Sequence, residues 1–411
     1  MPVLRPFHGL RYHLARIGDL NRVLCPPYDV ITADDRRALL ARDPHNAVRL
    51  ESPFAAAGGY VSAARTLAEW CGDGILVRDQ LPSFYIHEMR YLTPAGEDRS
   101  ARGVICRLEL EPLGAAGGVR PHERTMEGPK EDRFRLLVAT GANLSPVVLI
   151  DGRAATSRIL DRLSQTPAAA ETTDQAGITH RLWVVPTGSA SDDADGLLET
   201  VGEGPLTIAD GHHRYETALR YRHECAAARK MAGLPPADTV MALVYSREEA
   251  PSVLATHRVV RHLPGDLVAR AARFFHVRPV DDAASLLRLM SAPDGAMGSR
   301  IACWTPGAGA ILGGRSAPDG VDAVLLARAL RELVGIDEDE MRAGGRVIYT
   351  KDPAEAIALV ESGDGDAAFI LDPTPLEVVL RVAARGGIMP QKSTYFQPKA
   401  PTGLVFDALD H

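Results

Sequence analysis

Residues 209–218, A-D-G-H-H-R-Y-E-T-A, put a carboxylate, two imidazoles and a guanidinium into one turn: Asp210, His212, His213 and Arg214. Leu206–Ala209 before them reads as a short buried strand. Tyr215, Ala218, Leu219 and Arg222 after them recur at helical spacing. A strand–turn–helix junction directs backbone N–H groups and the positive end of a helix dipole at whatever occupies the turn. Cations at a helix start oppose that dipole unless an anion sits there, so the residue types point to an anion site, phosphate foremost. Asp210 serves either as a helix cap or as a holder of a divalent cation that bridges to phosphate.

Three other stretches offer chemistry. In P-H-E-R-T-M-E-G-P-K-E-D-R, residues 121–133, His122 and Glu123 form an acid/base pair beside Arg124 and Thr125, with Lys130 and Arg133 adding positive charge. The same residues also suit a solvated loop leading into a helix. An H-E-x-x-H zinc motif is excluded, because Met126 stands where the second histidine is required. In C-P-P-Y-D-V-I, residues 25–31, two prolines stiffen a turn that presents Tyr28 and Asp29, and nothing adjacent marks Cys25 as an activated thiol. Near the end, M-P-Q-K-S-T-Y-F-Q-P-K carries Lys392, Ser393 and Thr394, a point charge and two hydroxyl donors able to touch phosphate. The glycine pattern of a P-loop is absent before them, and an ordered C-terminal loop packed by Tyr395 and Phe396 fits the segment as well.

The elements that must position these residues alternate. Helices are expected at Asp34–Ala41, Tyr60–Cys71, Glu131–Thr140, Val321–Val334 and Pro353–Glu361, with a further Ala/Thr/Ser-rich helical stretch between Asp151 and His180. Strands are expected at Phe84–Tyr91, Gly103–Leu110, Pro146–Ile150, His180–Val185, Thr239–Tyr245, Val253–Val260 and Ala367–Leu371. Turns are expected at Thr93–Gly96, Pro293–Gly298 and Ser316–Gly320. This interleaving predicts a mixed α/β (α+β) architecture. Three segments are expected: residues 1–150, a core of 151–295 that carries the turn, and 296–411.

Composition narrows the functional classes. The 411 residues suffice for two or three domains, and 45% hydrophobic with 24% charged residues is ordinary for a globular chain. A net charge of −7 argues against a protein that coats nucleic acid. Five scattered cysteines without C-x-x-C spacing exclude a zinc ribbon and make no disulfide framework. The opening M-P-V-L-R-P-F-H-G-L-R lacks the apolar run of a signal peptide, and charges interrupt every long apolar stretch, so no membrane span and a cytoplasmic location are expected.

Taken in order, P-P-Y-D-V-I (26–31), H-E-R-T-x-x-G-P-K-x-D-R (122–133), A-D-G-H-H-R-Y-E-T-A (209–218), T-H-R-V-V (256–260) and M-P-Q-K-S-T-Y-F-x-P-K (389–399) resemble the family called domain of unknown function 1015. The D-G-H-H-R turn is in addition similar to the phosphate-binding turn of the ParB/sulfiredoxin superfamily, which includes free L-serine kinases. That resemblance implies a ParB/sulfiredoxin-like nucleotide-binding core with additional α/β segments, and a nucleotide phosphate site at Asp210, Gly211, His212, His213 and Arg214. His212 stands where a sulfiredoxin carries cysteine, which disfavours sulfinic acid reduction.

The expected activity is a kinase that uses ATP or ADP with Mg²⁺ to phosphorylate a small-molecule hydroxyl, such as that of L-serine. Here His212, His213 and Arg214 hold phosphates, Asp210 positions Mg²⁺ or the hydroxyl, and Asp29 or Glu123, with His122 beside it, supplies the base. Lys392 closes over the transferred group. The partners are then a nucleotide and a small-molecule substrate, without nucleic acid. The rivals are a metal-dependent phosphodiesterase or nuclease of the same superfamily, and a non-catalytic nucleotide-binding regulator.

Overall fold

A computed structural model describes the chain except residues 53–57, 95, 116, 126, 154–155, 189–195, 198–199, 266, 292–299, 315–319, 344 and 410–411. The turn at Pro293–Gly298, most of the one at Ser316–Gly320 and Ala95 of the one at Thr93–Gly96 lie outside the described residues. The chain divides into two compact units. The first comprises Met1–Pro121, Thr125–Ser252 and Pro398–His411; the second comprises His122–Arg124 and Val253–Gln397.

Nine described strands build the sheet of the first unit: β1 (Leu4–Arg5), β2 (Ser83–Leu92), β3 (Asp98–Glu109), β4 (Val119–Arg120), β5 (Val147–Asp151), β6 (Ala170–Thr173), β7 (Thr179–Pro186), β8 (Leu206–Asp210) and β9 (Thr239–Ser246). Their order is β4-β8-β5-β9-β3-β2-β7-β6, with β1 paired to β3. The β4–β8 and β5–β9 pairs are parallel and the other pairs are antiparallel. β2 and β3 are a hairpin whose register runs from Tyr85 opposite Ile105 to Leu92 opposite Asp98.

Period-2 alternation assigns the faces of this sheet. Phe84, Ile86, Val104, Cys106, Leu149, Ile208 and Val244 share one core with Leu160, Tyr215 and Ala218, which come from the helices Ser157–Leu163 and His212–Met231. Tyr215 is fully buried there, and its hydroxyl donates to the Glu111 carbonyl at 3.0 Å. Burying that ring fixes the rotation of the His212–Met231 helix and so the direction in which its first turn points.

The second unit is a six-stranded, wholly antiparallel sheet. Its strands are β10 (His257–Val260), β11 (Phe275–Val280), β12 (Arg300–Thr305), β13 (Ala308–Gly314), β14 (Val347–Thr350) and β15 (Ala367–Leu371), in the order β11-β13-β12-β15-β10-β14. Ile301, Cys303, Phe369 and Leu371 face the helices Asp322–Val334 and Leu376–Ala384. Ala302, Trp304, Ala368 and Ile370 face the helices Ala283–Ser291 and Pro353–Glu361. Helices thus cover both faces, which is why β15 and the Ile301–Trp304 stretch of β12 are apolar without alternation.

The mixed α/β class expected from the sequence is the class observed. Two local readings are corrected. Among the described residues, the stretch between Asp151 and His180 is helical at Ser157–Leu163 alone and then returns to the sheet as β6. Val253–Val260 is not one strand: Ser252–Leu254 and His257–Val260 pair in different sheets. Thr172 is buried although Glu171 and Thr173 are exposed, so β6 has an alternating edge-strand pattern that its composition hides. Among the described residues no helix is long and apolar enough to cross a membrane.

Candidate functional site

In the first unit, β8 delivers four buried residues and then Asp210, with a register irregularity between Ile208 and Asp210. Asp210 does not cap the helix that follows. Its Oδ1 accepts from the Gly211 N–H at 2.9 Å, and Gly211 is the residue at the cap position, with φ +88° and no side-chain cap. The first turn of the helix carries no acidic residue either. No side chain therefore answers the positive dipole end from the cap, and the cap explanation of Asp210 is set aside.

Gly211 is required twice over. Its positive φ disfavours any side chain, and a Cβ there would lie 2.9 Å from Arg214 Nε. Arg214 folds back over the glycine, donates Nη1 to the Pro146 carbonyl, and places Nη2 3.5 Å from Asp210 Oδ2. Its Nε is buried with no hydrogen-bond partner among the described residues. His212 is buried and His213 half-buried.

Two distant segments reach this turn. Lys399 donates to Asp210 Oδ2 at 2.8 Å and lies 4.0 Å from Asp29 Oδ2, so one ammonium serves two carboxylates. Burial alone would raise the Asp210 carboxyl, but the charges of Lys399 and Arg214, the Lys399 hydrogen bond and His212 outweigh it and hold the group well below the usual carboxylate range. Asp29 sits in a 3₁₀ turn, Tyr28–Val30, launched by the extended Pro27. Tyr28 packs under the Arg133 guanidinium at 4.0 Å, and burial pushes its phenol up to about 12. Cys25, just before the prolines, is buried and its thiol is pushed well up by that burial, which fits the inert role expected for it.

The other expected residues lie in the second unit. His122 is fully buried, with Nε2 3.1 Å from Thr394 Oγ1, and its carbonyl accepts from the Met389 N–H at 2.8 Å. Glu123 bridges to Met389 in a parallel sense. Ser393 Oγ donates to the Pro390 carbonyl at 2.5 Å, so this hydroxyl is engaged within the loop. Lys392 holds a positive φ of 56°, rare for a residue with a side chain, and its carbonyl accepts from Arg258 Nη2 at 3.3 Å. Burial lowers the Arg258 guanidinium, against the opposing influence of Tyr349 and Glu123.

Asp29, Asp210, Gly211, His212, His213 and Arg214 thus belong to one unit, and His122, Glu123, Lys392, Ser393 and Thr394 to the other. Lys399 and Arg258 went unselected in the sequence. Lys399 stands in the same motif as Lys392, seven residues on, and only the return of Pro398–His411 to the first unit singles it out.

The residues of the turn suit an oxyanion: an uncapped helix start, a glycine that lets backbone approach closely, and a guanidinium beside it. They also fit Mg²⁺ bound together with phosphate, since Asp210 and Asp29 supply the one or two carboxylates such an ion takes. Among the described residues no group of three or more His, Cys, Asp or Glu side chains forms a metal cage by itself.

Fold and turn define a mixed α/β protein with a strand–glycine turn–helix junction whose helix start carries no side-chain cap. The chain belongs to the family described as Protein of unknown function (DUF1015), whose model matches residues 4–321. No curated protein matches the sequence. Solved structures similar to it include a conserved hypothetical protein from Pyrococcus furiosus, at 15% identity over 70% of this chain and 92% of that one, TM-score 0.36. A free serine kinase in complex with AMP is similar at 15% identity over 72% and 94%, TM-score 0.36. SbnI from Staphylococcus aureus, with a C-terminal truncation, is similar at 11% identity over 73% and 88%, TM-score 0.35.

Proposed function

We propose that this protein is a nucleotide-dependent kinase that moves a phosphoryl group from ATP or ADP to the hydroxyl of a small molecule, L-serine or a related hydroxy amino acid. The observation that carries the reading is the uncapped start of the His212–Met231 helix at Gly211, with Arg214 folded over the glycine and Lys399 bound to Asp210. The similarity of the D-G-H-H-R turn to the phosphate-binding turn of the ParB/sulfiredoxin superfamily supports it.

Phosphoryl transfer asks the protein for charge neutralisation and in-line positioning more than for covalent chemistry. In this reading the N–H groups of the first helical turn and the Arg214 guanidinium bind the phosphates, and His212 and His213 line them. Asp210 would hold Mg²⁺, which would supply charge neutralisation at the phosphate oxygens. Lys399 holds the Asp210 carboxylate ionised and lies beside Asp29 before substrate arrives. Asp29 accepts the proton of the attacking hydroxyl.

The test is turnover. Purified protein with Mg²⁺, L-serine and either ATP or ADP is expected to form phosphoserine, read by mass spectrometry. Absence of product with both nucleotides, beside a working kinase run in the same buffer, rejects the proposal.

A further inference from the structure

A cleft of about 40 Å³ adjoins the turn within the first unit. Four apolar residues line it, with six polar ones that include Glu51, Arg133, Ser145, Arg214 and Thr217. That space holds a few water-sized groups, room for the polar head of a small ligand. Arg214 belongs to both the cleft and the turn, so the two are continuous.

Glu51 is the telling residue. It ends the short helix Val48–Glu51 and is 1% exposed. Oε1 accepts from Ser145 Oγ at 3.1 Å and from the Tyr28 N–H at 3.3 Å. Oε2 is buried and has no hydrogen-bond partner among the described residues. Arg133 comes no closer to the carboxylate than 3.9 Å, because its Nη1 donates instead to the Glu51 carbonyl at 2.8 Å and its Nε and Nη2 serve Asp132. A buried carboxylate oxygen without a donor is costly, and a charged donor is what relieves it best.

We infer that this cleft receives the zwitterionic head of an amino acid, its ammonium on Glu51 Oε2 and its carboxylate toward Arg214. A zwitterion matches the cleft because, among the described residues, Glu51 Oε2 lacks a donor and Arg214 Nε lacks an acceptor, and one ammonium and one carboxylate supply both. A hydroxy acid would leave Oε2 without its donor. The assignment rests on the kinase reading, in which the acceptor must lie next to the phosphate turn, and it deepens that reading by naming the groups that select an amino acid over a hydroxy acid.

Calorimetric titration of ADP-saturated protein with L-serine and with glycolate, which keeps the hydroxyl and carboxylate but lacks the amine, tests it. Wild-type protein is expected to prefer L-serine by tenfold or more, and Glu51→Gln is expected to abolish that preference while ADP affinity is kept. Thr217→Met, which fills the cleft from the helix side, should weaken L-serine tenfold or more and leave ADP binding intact; it covers the case in which Glu51→Gln does not fold. A preference that survives in Glu51→Gln, or ADP binding without any L-serine binding in the wild type, overturns the inference. Binding of L-serine through Glu51 by a protein that takes no ADP instead upholds this site and counts against the kinase alone.

Discussion

One ammonium shared by two carboxylates is the least replaceable feature of the turn. Lys399 and Asp210 are each mostly buried, at 13% and 20% side-chain exposure, so their pairing is screened little by solvent. A double-mutant cycle of Asp210→Asn and Lys399→Met in urea denaturation should give a coupling of about 1–3 kcal/mol, the range of charged hydrogen bonds. A coupling near zero would mean that the pair is not formed in solution. Gly211→Ala should cost roughly 1–2 kcal/mol from the left-handed backbone alone. It should cost more once the Cβ, 2.9 Å from Arg214 Nε, displaces that side chain. A melting temperature equal to that of the wild type would contradict the turn geometry.

At the scale of elements, β10 carries a titration that sets a pH limit for the second unit. His257 is 4% exposed and its Nδ1 accepts from the Leu371 N–H at 3.3 Å, which places the ring proton on Nε2. Burial, aided by Arg258, lowers the imidazole from its ordinary 6.5 to about 4. The unfolded chain therefore takes up a proton between these values while the folded one does not. The stabilisation is complete above pH 6.5 and is lost as pH falls toward 4, by about 3 kcal/mol over the window. Chemical denaturation at pH 7 and pH 4.5 should show this loss in the wild type and a smaller one in His257→Gln. An equal loss in both would exclude His257 as the source.

The elements were unevenly legible. Gly59–Gly72, Asp322–Val334 and Pro353–Glu361 fall close to where helical spacing puts them, because each buries one apolar stripe, whereas Ala33–Arg42, also near its expected place, buries only Leu39. The paired strands β2 and β3 were equally plain, as residues of high strand propensity on either side of a Pro/Gly turn. β11, β12 and β13 gave no clear signal. β12 is buried on both faces, which erases alternation, and Gly309, Gly313 and Pro279 dilute β13 and β11. The turn itself was legible because strand, glycine and helix are contiguous there. Lys399 and Glu51 were not, since each becomes chemical only through partners 189 and 94 residues away in the chain.

For the molecule as a whole, a net charge of −7 bears on the rival reading as a nuclease. Binding of double-stranded DNA through phosphates weakens steeply with salt. Fluorescence anisotropy with a labelled duplex should therefore show no binding at 50 mM or 200 mM salt. A complex at 50 mM that dissolves at 200 mM would favour the nuclease.

The central claim is that the Gly211–Arg214 turn holds the phosphates of a nucleotide. Calorimetric titration of ADP and of adenosine into wild-type and Arg214→Gln protein tests it most directly. ADP affinity should fall tenfold or more in Arg214→Gln, the share of a charge-assisted hydrogen bond of about 1.5–3 kcal/mol, while adenosine affinity stays unchanged. ADP affinity that is unaltered, or that falls in parallel with adenosine, would contradict the account.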